Sequence, residues 1–120
     1  MEIHIKTIPE SDQRYSTAGD YWHDEDGVLQ IRLSDDMPKY PQELVLIHEL
    51  VEIFLCQKDG IKFEDIDNFD MNIFPLRNRE EDDEPGDEPD APYRKQHRRA
   101  SIIEHMLANM MGLDSYGFIR

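Results

Sequence analysis

Three polar residues interrupt the most apolar stretch of the chain, Leu44-Val45-Leu46-Ile47-His48-Glu49-Leu50-Val51-Glu52-Ile53-Phe54-Leu55-Cys56. On a helix turning about 100° per residue, His48 and Glu52 lie one above the other, because residues four apart share a face. An imidazole and a carboxylate at that spacing can chelate one cation. Glu49 stands one step round, placed to hold a bound water. The apolar residues run all the way round this helix, which marks it as buried. A buried carboxylate costs several kcal/mol unless it is paired, hydrogen-bonded or bound to metal. A divalent metal, zinc first among them, meets that requirement. The alternative is that His48 and Glu52 bond each other, or an arginine from Arg98 or Arg99.

Two ligands do not complete a zinc site, which takes three protein ligands and a water, or four protein ligands. A second helical stretch further along offers His97, Ser101 and Glu104 within roughly 60° of one another. Ala100 and Ala108 flank that strip, and small residues let another helix come close. His97 is the expected third ligand. Glu104 is either a ligand or the acceptor that orients a ligating histidine. Asp70, beside Phe69 and Phe74, is a further candidate and is expected to be partly buried. Asp65 and Asp67 read as solvated acids, since the spacing and the glycine of a calcium loop are absent. Ile102, Ile103, Met106, Leu107 and Met110 form an apolar stripe expected to pack as core, with His105 pointing elsewhere.

Elements must hold these residues in place. Met1, Ile3 and Ile5 alternate with Glu2, His4 and Lys6, the period of a half-buried strand that Pro9 ends. Residues 10–20 are loop-like. Tyr21-Trp22-His23 leads through Asp24-Glu25-Asp26-Gly27 into Val28-Leu29-Gln30-Ile31-Arg32-Leu33, a hairpin signal with Leu29, Ile31 and Leu33 on one face. A helix is expected from Pro41 to Lys58 with Gly60 beyond its end, and a shorter one from Glu64 to Phe74. Residues 78–91 are acidic and bear proline and glycine, which predicts a mobile loop. The last helix is expected from Pro92 to Met111, capped by Asp90, and Gly112 and Gly117 break the tail. The whole reads as one α+β domain over 1–120: about three strands of a mostly antiparallel sheet packed on a buried central helix and a C-terminal helix.

The chain has 120 residues and a net charge of −14, one domain by size. That charge argues against nucleic acid or an anionic membrane as partner, since both favour a basic face. A single cysteine, Cys56, lies in an apolar run and reads as a core residue. With no disulfide framework, no apolar span and no signal-like N-terminus, a cytoplasmic protein is expected.

His48-Glu49-x-x-Glu52 resembles the H-E-x-x-H helix of the zincin metallopeptidases, in which two histidines bind zinc and the glutamate is the general base. The match covers His48 and Glu49 and departs at Glu52, where that family has histidine; carboxylate is still a zinc ligand. The resemblance implies a hydrolase acting on a peptide or amide, with Glu49 as base and His48, Glu52 and His97 on the metal. The chain also resembles, over nearly its full length, a small uncharacterised family found mainly in phages and bacteria. That likeness rests on His48-Glu49-Leu50-Val51-Glu52, Pro85-Gly86-Asp87, Ala91-Pro92-Tyr93, His97 and Glu104. It implies a site without naming a reaction. Two other classes fit parts of the pattern. Glu49-x-x-Glu52 with Glu104 resembles the acidic helices of nucleotide pyrophosphohydrolases, which hold magnesium in an all-helical fold. A non-catalytic module could use the same cluster as a structural metal or ionic centre.

Overall fold

A computed structural model describes residues 1–37, 39–80 and 83–113, apart from the side chains of Lys39 and Tyr40. It is α+β, with strands β1 (Ile3–Ile8), β2 (Gly19–His23) and β3 (Leu29–Ser34), then helices α1 (Lys39–Lys58), α2 (Phe63–Asn68) and α3 (Arg94–Met110). The strands form one sheet in the order β1-β3-β2. β2 and β3 are the expected antiparallel hairpin, turned at Gly27, whose φ of 79° is one that glycine adopts at little cost. β1 runs parallel to β3, so the sheet is mixed rather than mostly antiparallel. Alternation along a strand reports which faces it shows, and not which way its neighbour runs. β1 is also barely covered: Ile5 is exposed, and only Ile3 and Ile8 are half-buried.

Leu29, Ile31 and Leu33 share the inner face of the sheet, and Tyr21 stands opposite Ile31 across the hairpin. These residues form one core with Val45, Ile53 and Cys56 of α1, Ile66 of α2, and Phe69, Phe74, Ala91 and Tyr93. Cys56 is the core residue the sequence suggests, its thiol pushed up to about 12 by burial and by the charge of Glu52. After α2 the chain widens into a π-helical turn at Phe69–Ile73 and then tightens into a 3₁₀ turn at Phe74–Leu76. That irregular stretch turns Phe69, Asp70 and Phe74 inward together.

The two long helices pack on each other where Leu44 and Ala108 meet, and both differ from expectation. α1 is not enclosed all round: Phe54 is 43% exposed, and Ile47, Leu50 and Val51 are only half-buried. α3 begins at Arg94 after Tyr93, not at Pro92, and Asp90 does not cap it. Asp90 instead accepts both guanidinium nitrogens of Arg77, at 2.7 and 2.6 Å. α3 also turns its other side to the protein. Gln96, His97, Ala100, Glu104 and Ala108 are buried, whereas Ile102, Ile103, Met106 and Met110 of the expected core stripe are exposed. The face that α3 turns to α1 carries His97 and Glu104, both of which meet His48. Gly117, read as a break, lies outside the described residues.

Candidate metal centre

α1 presents His48 and Glu52 one turn apart, and α3 brings His97 against them. His48 Nε2 and Glu52 Oε2 are 3.0 Å apart, His97 Nδ1 and Glu52 Oε2 2.9 Å, and the two ring nitrogens 3.2 Å. All three side chains are buried. Three potential ligand atoms thus form a closed triangle, bringing together the three residues expected from sequence. Ligand atoms about 2.1 Å from a tetrahedral zinc lie roughly 3.4 Å apart, so each side of the triangle is shorter than a zinc ligand set by about half an ångström or less. Hard and borderline nitrogen and oxygen donors of this kind suit zinc and its first-row neighbours.

Each corner is held from behind. His48 Nδ1 lies 2.8 Å from Glu104 Oε1. His97 Nε2 lies 3.0 Å from Glu84 Oε2 and 3.3 Å from Asp87 Oδ1. The contacts to Glu104 and Glu84 are ion-pair distances that depart from hydrogen-bond alignment. They place a carboxylate beside the far nitrogen of each ring, the arrangement that orients ligating histidines. Glu52 uses its second oxygen, Oε1, to accept the Tyr21 hydroxyl at 2.6 Å. Arg98 and Arg99 are exposed on α3 and take no part.

Burial opposes charge on His97, but the Asp87, Glu52 and Glu84 carboxylates prevail and its pKa is pushed up to about 11. Burial would raise Glu52, yet hydrogen bonds from His48 and His97 hold it well below the usual carboxylate range.

Compared with protein-family models, curated proteins and solved structures, the chain has no match. Its function is therefore read from this geometry.

The triangle borders a cavity of about 450 Å³ lined by Glu49, Glu52, His97, Glu84, Asp70 and Tyr15 among others. Glu49 is buried, and Gly19 on β2 makes room for it. A Cβ there would stand 2.7 Å from Glu49 Oε1 and 2.9 Å from Val45 Cγ1. Asp70 belongs to the cavity wall and not to the triangle. It accepts the hydroxyls of Tyr15 at 3.0 Å and Tyr93 at 2.8 Å. Burial pushes its pKa up to about 7 despite those two hydrogen bonds, with the Glu52 and Glu49 charges adding to the rise. Asp65 is exposed as expected, whereas Asp67 is paired with Arg14 at 3.0 Å.

Sequence reasoning missed Tyr15, Tyr21, Glu84, Gly86 and Asp87. Of the segment read as a mobile loop, Glu81 and Asp82 lie outside the described residues. After them a 3₁₀ turn at Pro85–Asp87 buries Gly86 against His97 and Arg77 reaches Glu88 at 3.2 Å, while Asp83, Asp87, Pro89 and Asp90 are exposed. The available signal was the glycine between acids, Pro85-Gly86-Asp87, one of the motifs in the phage-family resemblance.

Proposed function

We propose that this chain is a metal-dependent hydrolase of zincin-like character, with His48, Glu52 and His97 holding one zinc or a related divalent ion. The observation that carries the reading is the triangle of ligand atoms whose three residues are each gripped at their other end. Histidines that ligate a metal are nearly always held by a carboxylate or carbonyl at the other ring nitrogen, which supports this reading. A bound zinc would supply an acidic water and polarise a carbonyl. Glu49, buried at the edge of the same cavity, is the group that takes a proton from such a water. The open cavity beside the triangle gives a peptide or amide room to approach. It also favours catalysis over a purely structural metal, which closes its coordination with protein ligands. The magnesium pyrophosphohydrolase alternative is disfavoured by the three-stranded sheet, because that fold is all-helical.

The test is elemental analysis of protein purified without added metal or chelator. About one zinc per chain is expected, with none in His48→Ala or Glu52→Ala. Full metal in both variants, or none in the wild type, sinks the reading. Glu49→Gln should keep metal and fold while cutting turnover of a peptide or amide by roughly 10²–10⁴-fold. Loss of metal in that variant would make Glu49 a ligand instead.

A further inference from the structure

The Pro85–Asp87 turn is the least expected part of the site. It is acidic and lies far from α1 in sequence, yet it sits directly on His97. A Cβ on Gly86 would overlap the His97 ring at Cγ, Nδ1 and Cδ2. The φ of Gly86 lies outside the positive range in which glycine is favoured on backbone grounds, so what demands glycine here is the closeness of the ring. Glu84 and Asp87 flank that glycine and both direct a carboxylate oxygen at His97 Nε2. The downstream end of the turn is clipped to Arg77 through Glu88 and Asp90. Tyr93, just before α3, packs edge-on to the same ring with centroids 6.0 Å apart.

We infer that Glu84, Gly86 and Asp87 form a strap that positions His97 as a metal ligand, the carboxylates fixing its Nε2 proton and the glycine fixing how close the strap lies. The inference rests on the metal reading of the triangle. An imidazole offers its Nδ1 lone pair to a cation only when the remaining proton sits on Nε2 and the ring is correctly rotated. The strap supplies both conditions. His48 has the equivalent partner in Glu104, but Glu104 sits on the packed α1–α3 seam, whereas the strap is a separate turn laid over α3. Glu84, Gly86 and Asp87 are thus positioning residues: they act through His97.

The experiment compares zinc affinity, by competition with a chromophoric chelator, in the full-length wild type, Glu84→Gln/Asp87→Asn and Gly86→Ala. Losing a carboxylate behind a ligating histidine weakens metal binding by about 10–100-fold. That loss is expected in the double variant. Gly86→Ala leaves every charge in place and should weaken zinc comparably by displacing the ring. Cobalt substitution adds a readout that a merely structural role would not move: the visible absorption of the bound ion should change in both variants. Zinc affinity within twofold of wild type in both, with unchanged cobalt spectra, overturns the strap and leaves the metal site standing. A wild type that takes up no metal overturns both. Should Gly86→Ala fail to fold, the double variant alone decides. In metal-free wild type, nuclear Overhauser contacts between Gly86 Hα and the His97 ring are expected, and their absence would equally overturn the docking.

Discussion

α1 and α3 pack side by side and use opposite rules. The central stretch of α1, residues 44–56, is apolar apart from its polar triad, and α1 leaves Phe54 in solvent while burying His48, Glu49 and Glu52. α3 has ample apolar residues for a core face, yet it exposes Ile102, Ile103, Met106 and Met110 and buries Gln96, His97 and Glu104. The difference comes from what is hardest to leave unpaired. Once α1 carries buried carboxylates and an imidazole inward, the helix against it must answer them, since an uncompensated buried charge costs about 3–5 kcal/mol. Exposing four apolar side chains forgoes burial worth about 1.5–3 kcal/mol each when complete, but it creates no buried charge. α3 is therefore rotated by the site, and its small residues, Ala100 and Ala108, allow the close approach.

The sharpest way to break this comparison is Glu104→Gln. If α3 faces inward in order to serve His48, removing that charge while keeping the volume should weaken zinc about 10–100-fold. Chelator competition measures it, and an unchanged affinity would mean that the α3 orientation has some other cause.

The same contrast marks where the sequence stopped being legible. The four-residue spacing of His48 with Glu52 and the seven-residue spacing of His97 with Glu104 are each properties of one helix, so both pairs were readable before any tertiary information. The Asp24–Gly27 hairpin and α1 were readable for the same reason, being local. What failed was non-local. The orientation of α3 depends on α1, the parallel pairing of β1 depends on β3, and Asp90 was drawn from its expected cap by Arg77. Composition reported the charge of residues 78–91 but not the ring that Glu84 and Gly86 meet.

Asp70→Asn probes the cavity wall with a pH-dependent effect. The folded pKa of Asp70, about 7, is raised mainly by burial above the ordinary value of 3.8. Protonated Asp70 therefore contributes stability that is fully present below about pH 4 and is lost as the pH rises through 7. In metal-free protein, Asp70→Asn should gain on the wild type by up to a few kcal/mol between pH 4 and pH 8. Urea unfolding at both pH values checks this, and a pH-independent difference would place the neutralising influence elsewhere.

The smallest effect sharpens the contrast from the exposed side. Ile102→Ser, at a site 57% exposed, should change stability by within about 0.5 kcal/mol. Ile53→Ala, wholly buried on α1, should cost about 2–5 kcal/mol. Denaturant melts of the two variants test the pair. A cost above about 2 kcal/mol for Ile102→Ser would show that the outer face of α3 is covered in solution.

The distance along the chain between the triangle's corners sets a schedule for its making. His97 comes 49 residues after His48. At about 5–20 residues per second, a ribosome adds that length in roughly 2–10 s. During that interval the emerging chain carries His48 and Glu52 without their third corner, without Glu104 behind His48, and without the helix that seals them from water. For the metal site proposed above, a cation meeting the nascent chain before α3 emerges would find only two of the three ligands, so loading would follow the closing of α3 over α1.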